Sequence, residues 1–272
     1  MTISRRILTT ALLSILGGSL LAAPVPVRPE KPDEKLLEEV SVHPPGFAAA
    51  RRPSTLKIDL GKTSQSTYAD AGTPQKKFRD AVRETQLFLW ATSPALPPAA
   101  LQTQVRALRL RVAFPAPLRT SWVIPTNPAA ERMFKVVVLG AARDQARLIS
   151  QIEQQIERLD EVAGLREKEC KRWRANYDLV RAWLLLRVIH LEEVSLALGQ
   201  VRKELPNHDP KKDKTLVLTP RDQLHDAAAR KMTRHAEKAL DAIMHDYPDT
   251  VWADLASRNR VRSLGVEWVP TR

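Results

Sequence analysis

The segment ECKRWRANYDLVRAWLLLRVIHLEEVSLALGQVRKE (Glu169–Glu204) decides the fold, because its apolar residues recur every three or four positions throughout. This spacing places them on one stripe of a single helix from near Glu169 to about Glu204. Trp183-Leu184-Leu185-Leu186 widens the stripe in the middle of the segment, so we expect a further element to cover it. The stripe comprises Trp173, Tyr177, Val180, Leu184, Val188, Leu191, Val194, Leu198 and Val201.

A second amphipathic pattern precedes this segment and predicts a helix from about Ala142 to Glu167. Two helices with matching apolar stripes and a short connection form an antiparallel helical hairpin. We therefore assign residues 141–204 to one long hairpin, packed as a coiled coil. The stripe of its first helix comprises Ile149, Ile152, Ile156, Leu159 and Ala163.

The sequence after the hairpin predicts an exposed loop and then a pair of helices. Residues 205–220 are rich in Pro, Asp and Lys, which interrupt a helix. One helix is expected from Arg221 to about His245 and the next from about Val251 to Ser263, with Gly265 as its C-terminal cap residue. Residues 221–272 are assigned to this pair.

Residues 55–140 predict a small α+β region. Lys76–Ala91 carries apolar residues at helical spacing and ends at a Pro-rich stretch. We expect this helix to pack on a sheet of three or four short strands, so the fold class is mainly α (α+β). The strand candidates are Thr55–Leu60, the alternating Leu108–Phe114, Ser121–Ile124 and Phe134–Leu139.

The N-terminal residues have the layout of a signal peptide. Arg5 and Arg6 precede an apolar run from Ile7 to Leu21, and small residues follow it. We assign residues 1–23 to a signal peptide rather than to a membrane anchor, because the run is shorter than a spanning helix. The adjacent arginines leave twin-arginine export open beside ordinary secretion. The mature protein is therefore expected in the periplasm or outside the cell.

The composition changes after the signal peptide. Residues 24–54 are rich in Pro, Glu, Lys and Val, so they are expected to form a disordered spacer. The single cysteine, Cys170, cannot form an internal disulfide, and packing must therefore provide stability.

The last two predicted helices carry a recognisable pattern, Ala236-x3-Leu240-x2-Ile243-x3-Tyr247-Pro248-x-Thr250-x-Trp252-Ala253-x2-Ala256. This pattern is similar to a tetratricopeptide-like helix pair of the kind found in exported bacterial scaffolds. Only one such unit is visible. The resemblance therefore implies a single helix pair for packing or protein–protein interaction, and not a solenoid.

A longer resemblance rests on three stretches: Lys171–Leu179, Arg202–Pro206, and Tyr247–Ala253 followed by Leu264–Trp268. Together they resemble the C-terminal helical region of bacterial von Willebrand factor A domain proteins. The A domain itself is absent here, because no Asp-x-Ser-x-Ser string of its metal-dependent adhesion site occurs in the sequence. The resemblance implies a helical region of uncharacterised function and no metal-dependent adhesion.

The sequence contains no recognisable motif for catalysis, cofactor binding or metal binding, so we expect a protein that is not an enzyme and has no cofactor. His225, His235 and His245 recur ten residues apart, which spreads them around a helix rather than bringing them together. The enzyme alternative would use Asp178, His190 and Glu193. The first two lie about 18 Å apart along one helix, too far to act together unaided.

The candidate binding residues are basic. Arg230, Lys231, Arg234 and Lys238 form a helical stripe that, together with the formal net charge of +12, would suit an anionic partner. The alternative is a solvated face balanced by nearby acids. Arg258, Arg260 and Arg262 follow on the next helix.

Two aromatic pairs, Trp173 with Tyr177 and Tyr247 with Trp252, are spaced as structural anchors of helices rather than as carbohydrate-stacking platforms. Export, a spacer and amphipathic helices favour a non-enzymatic scaffold with a protein partner in the bacterial cell envelope. The alternative is a binder of an anionic envelope polymer or a membrane surface. Nucleic acid is not expected because of export, and self-association remains open.

Overall fold

The computed structural model describes residues 74–93, 97, 99–111, 119–260 and 263–272. Within these residues the chain forms six α-helices and a three-stranded antiparallel sheet, which confirms the mainly α (α+β) class. The predicted signal peptide, the spacer and the strand Thr55–Leu60 lie outside the described residues. The helices are α1 (Pro74–Ala91), α2 (Ala99–Arg111), α3 (Pro128–Val162), α4 (Lys171–Lys203), α5 (Ala227–Asp246) and α6 (Val251–Arg260), and the strands are β1 (Ser121–Val123), β2 (Thr215–Arg221) and β3 (Gly265–Thr271).

The predicted helical hairpin is present as α3 and α4, joined by the 3₁₀-helix Ala163–Lys168. The helix α3 starts earlier than expected, because Asn127 caps it by accepting a hydrogen bond from the Ala130 amide at 2.8 Å. The strand prediction for Phe134–Leu139 was therefore wrong. Phe134 and Val138, four residues apart, are buried on one helical face, and this packing outweighs the local β preference of the valines.

The centre of α4 is covered on several sides. Trp183 and Leu184 belong to the main core, which also contains buried residues of α1, α3, α5 and α6. The helix α1 confirms the predicted helix at Lys76–Ala91, but its buried Phe78, Val82 and Leu89 lie in this main core and not under the sheet. The expected packing of α1 on the sheet was therefore wrong.

The sheet has the order β1-β2-β3, with Trp122 opposite Leu216 and Leu218 opposite Trp268. Its inner face forms a second core with α3 and the C-terminal half of α4, in which Trp122 makes edge contacts with Phe134 at 5.8 Å and with Trp268 at 6.4 Å. The predicted strand at Ser121–Ile124 is confirmed as β1.

The central strand β2 was missed, because Thr215–Arg221 fell in the predicted loop of residues 205–220. Pairing with β1 and β3 satisfies its backbone, whereas residues 205–214 remain a loop. Pro220 has no amide hydrogen to donate. It is tolerated in β2 because the last hydrogen bond to the β1 side is donated by the Leu218 amide to the Thr120 carbonyl oxygen, so no strand on that side needs a hydrogen bond from residue 220.

The strand prediction for Leu108–Phe114 was wrong over its described part, because Leu108–Arg111 is the last turn of α2. Arg109 donates to the carbonyl oxygens of Ala91 at 3.0 Å and Ser93 at 2.8 Å, and so satisfies the free C-terminal end of α1. Residues 112–114 lie outside the described residues.

The C-terminal helix pair begins later and ends earlier than expected. The helix α5 starts at Ala227, because Arg221 still belongs to β2 and Asp226 caps α5 through the Ala228 amide at 3.2 Å. The prediction that Gly265 caps a helix was wrong, since Gly265 is the first residue of β3. A Cβ atom there would lie 2.3 Å from the Gln223 carbonyl oxygen, so the close strand approach requires glycine.

Among the described residues, no helix is both long enough and apolar enough to cross a membrane.

Candidate functional site

All four predicted anchor residues are buried, with exposed fractions between 4% and 6% for Trp173, Tyr177, Tyr247 and Trp252. Tyr177 stacks on Phe78 with ring centroids 5.2 Å apart, and Trp252 donates to Asn176 Oδ1 at 3.0 Å. These side chains join α4 to α1 and α6. Their rings are therefore not accessible for stacking on a sugar.

Tyr247 also belongs to a polar cluster around Asp178. The Asp178 carboxylate accepts two hydrogen bonds from Arg166, at 2.7 and 2.6 Å, and one from the Tyr247 hydroxyl at 2.9 Å. The hydrogen bond to Asp178 raises the pKa of Arg166 above its ordinary value, against the lowering effect of burial. Burial, followed by the Asp178 charge, raises the pKa of Tyr247. The cluster therefore links the 3₁₀-helix and the residue after α5 to the N-terminal part of α4.

The residues of the enzyme alternative have separate structural partners. Asp178 lies in the cluster just described, and Nδ1 of His190 lies 3.1 Å from the Leu264 carbonyl oxygen. Glu193, with a fully buried side chain, accepts hydrogen bonds from the His225 backbone amide at 3.0 and 3.2 Å and lies 2.6 Å from His225 Nδ1. Each of the three side chains therefore contacts a different group: Asp178 contacts Arg166 and Tyr247, His190 contacts Leu264, and Glu193 contacts His225.

The three histidines spaced ten residues apart are also separated in role. His225 precedes α5 and contacts Glu193, while His235 and His245 are exposed on α5. Among the described residues, no group of three side chains is placed to hold a metal ion. Near His225, the pKa of Glu192 is raised by burial and then by the charges of Glu153, Asp226 and Glu193.

No sequence pattern indicated the buried ion pair between Arg79 on α1 and Glu169 before α4. The Glu169 side chain is fully buried, that of Arg79 is 13% exposed, and Nη2 of Arg79 lies 2.9 Å from Oε2 of Glu169. The same guanidinium lies 5.7 Å from the ring centroid of Trp173. The neighbouring Cys170 is a half-buried free thiol that packs against the main core.

The α5 basic face consists of the four predicted residues Arg230, Lys231, Arg234 and Lys238, and all four are exposed. Arg230 donates to the Leu224 carbonyl oxygen at 3.1 Å. Within the part of the chain that the structure describes, the other three have no acidic partner. They project from one side of α5 at positions i, i+3 and i+7.

The arginines of α6 do not extend this face as free cations. Arg258 forms an ion pair with Asp254 at 2.8 Å, and Arg260 with Asp241 of α5 at 3.0 Å. Arg262 lies outside the described residues. Over the described part of α5 and α6, the unpaired positive charge is therefore confined to α5.

A second exposed surface lies on α3. It was not predicted, because Phe134–Leu139 was assigned to a strand. Met133, Val136, Val137 and Gly140 lie at positions i, i+3, i+4 and i+7 of α3, away from the buried Phe134 and Val138. The exposed fractions of the three larger residues are 65%, 64% and 41%. These four residues are called the α3 stripe.

An open groove of about 480 Å³ lies between α1 and α3. Its charged residues include Lys76 and Asp80, which pair at 2.5 Å, and Arg158 and Glu84, which pair at 3.5 Å. Because the lining carries charges of both signs, the groove indicates no class of ligand.

Comparison of the chain with protein-family models, with curated proteins and with solved structures yields no match. The exposed surfaces of α3 and α5 are therefore the two candidate binding sites among the described residues.

Proposed function

We propose that this protein is an exported, non-enzymatic helical scaffold of the bacterial cell envelope that binds another protein through the α3 stripe. The observation that carries the proposal is the exposure of Met133, Val136 and Val137 by 65%, 64% and 41% on one helical face. Aligned exposed apolar side chains are typical of a surface that a partner covers. The signal-like N-terminal sequence supports export.

Helix energetics support the same assignment. Valine is a weaker helix former than alanine, and a glycine inside a helix costs about 1 kcal/mol relative to alanine. Val136, Val137 and Gly140 therefore destabilise α3 while remaining exposed, and a Cβ atom placed on Gly140 would have no atom within 4 Å apart from the adjoining backbone of α3 itself. Contacts between a docked partner and these residues would offset this loss of helix stability.

The C-terminal helix pair supports the scaffold hypothesis as well. The helices α5 and α6 pack on each other, with Ala236 and Ala256 fully buried and Tyr247-Pro248 between the helices. Small residues that allow close approach of two helices are expected of the tetratricopeptide-like pair proposed from the sequence. In this proposal the pair serves as the rigid support of the hairpin.

A photo-crosslinking experiment tests the scaffold function. A photoreactive amino acid at Val136 of the full chain should give a discrete protein adduct in cells, and Met133→Asp should abolish it. A matched probe at Leu110, 82% exposed on α2, should not give that adduct. The proposal fails if both probes give the same adducts, or if Met133→Asp leaves the Val136 adduct intact.

A second candidate function is binding of an anionic envelope polymer or membrane surface through the α5 basic face. It is favoured by three exposed cations, Lys231, Arg234 and Lys238, that have no acidic partner among the described residues. Vesicles of anionic lipid and soluble polyphosphate should then bind more weakly as salt rises. Arg234→Glu with Lys238→Glu should abolish this binding, whereas the matched pair Arg202→Glu with Lys203→Glu should not.

A further inference from the structure

We propose that the partner of the α3 stripe is an acidic amphipathic helix. This inference rests on the proposed function and specifies the chemistry of the partner. It follows from the shape of the stripe and from the charges that border it.

The stripe fits a helix in size and shape. Met133 and Gly140 are seven residues apart, so the stripe is about 10 Å long and covers two helical turns. A second helix can meet it with apolar residues at the same i, i+3, i+4 and i+7 spacing. Gly140 leaves open space where a side chain would stand, which lets the partner backbone approach closely.

Unpaired positive charge borders one side of the stripe. At about 100° per residue, Arg132 and Arg143 both point about 90° away from Met133, next to Val136. Both are exposed, and neither has an acidic partner among the residues that the structure describes.

Other basic residues of this helix are already neutralised. Lys135 pairs with Glu131 at 2.6 Å and Arg147 with Asp144 at 3.4 Å. The two free arginines are about 16 Å apart along the axis, a distance that a helix of three turns spans. Glutamate or aspartate at the edge of the apolar face of a partner would complement both arginines.

The same charges disfavour an antiparallel pairing with a second copy of this chain. In a two-fold antiparallel pairing, with Met133 over the Gly140 of the other copy, Arg132 of one copy comes near Arg143 of the other. This arrangement brings like charges together, which opposes association.

Two synthetic amphipathic peptides of about 18 residues, or five helical turns, test the inference with the full chain. They share leucines at i, i+3, i+4 and i+7 and differ only in carrying glutamate or lysine beside them. The glutamate peptide should bind at least tenfold more tightly than the lysine peptide. Arg132→Glu with Arg143→Glu should reverse this preference. The control pair Arg202→Glu with Lys203→Glu, both exposed at the end of α4, should change affinity less than twofold.

Variants of the stripe separate this inference from the proposed function. Met133→Ser with Val136→Ser should weaken the glutamate peptide at least tenfold, with an unchanged circular dichroism spectrum. If both peptides bind equally and this variant weakens both, the acidic partner is overturned while docking on the stripe survives. If neither peptide depends on the stripe, or if sedimentation shows that the stripe forms a dimer of this chain, the inference is wrong.

Discussion

Arg166 and Asp178 form a two-pronged ion pair, in which Nε and Nη2 of the guanidinium donate to the two carboxylate oxygens at 2.7 and 2.6 Å. The pair joins the 3₁₀-helix after α3 to the first turns of α4. The Tyr247 hydroxyl, just after α5, donates to the same carboxylate. One aspartate on α4 therefore connects the turn of the hairpin to the C-terminal helix pair.

Asp178→Ala is expected to lower the free energy of unfolding by about 2 kcal/mol, because it leaves the Arg166 guanidinium and the Tyr247 hydroxyl without their main partner. Urea denaturation measures the change. Asp160→Ala is the matched control, since Asp160 is 51% exposed in its pair with Arg181 and should contribute less than about 1 kcal/mol. Equal losses in the two variants would contradict this assignment.

Because of Tyr247, the free energy of unfolding should decrease as the pH rises into the alkaline range. Burial raises the pKa of Tyr247 above its ordinary value near 10. Below that value both the folded and the unfolded chain hold the phenol proton, so the full stabilisation is present. Above it the unfolded chain loses the proton first, and the contribution decreases as the pH approaches the raised folded pKa.

The comparison of wild type with Tyr247→Phe isolates this effect. At neutral pH the variant should be less stable by about 1 kcal/mol, the typical net contribution of a hydrogen bond. The difference should narrow between about pH 9 and about pH 11, where the unfolded tyrosine ionises. Chemical unfolding at several pH values measures it, and a difference that widens across this range would refute the prediction.

Glu169→Gln should cost about 3 kcal/mol, because it removes the negative charge that compensates Arg79 in the protein interior. Replacing both residues by methionine should recover most of this loss, since no uncompensated charge remains. A double-mutant cycle of Arg79→Met and Glu169→Met measures the coupling. Additive effects of the two single changes would show that the pair is not coupled.

The long helices could be predicted from the sequence because their information is local. The α4 stripe repeats at helical spacing from Trp173 to Val201, which is the pattern of a helix and not of a strand. Prediction failed where local preference and packing disagree. The run Val136–Val138 favours a strand by composition, but the Asn127 cap and the burial of Val138 place it in α3.

The sheet and the sites were harder to predict because they depend on residues far apart in the chain. The strand β2 forms by pairing with β1 and with β3, and short apolar runs do not specify such partners. Arg79 and Glu169 likewise meet across 90 positions of sequence. The four basic residues of α5 were visible at helical spacing, whereas the α3 stripe became apparent only once α3 was known to be a helix.

Gly140 and Gly265 place the same residue type in opposite surroundings. Gly140→Ala should raise the free energy of unfolding by about 1 kcal/mol, because alanine is a better helix former and its Cβ atom would meet no atom within 4 Å other than the adjoining backbone of α3. Urea denaturation of the isolated protein measures the gain. A loss of stability would show that α3 needs the glycine for its own packing.

Gly265→Ala should instead lower the free energy of unfolding by about 2 kcal/mol, because the added Cβ atom would lie 2.3 Å from the Gln223 carbonyl oxygen and 2.7 Å from that of Arg221. Both backbone groups lie at or just after the end of β2, so β3 would have to move away from its partner strand. Thermal unfolding, with Gly140→Ala as the comparison, provides the measurement. Stabilisation by both substitutions would mean that the chain tolerates a side chain at the start of β3 and that the close approach there is not required.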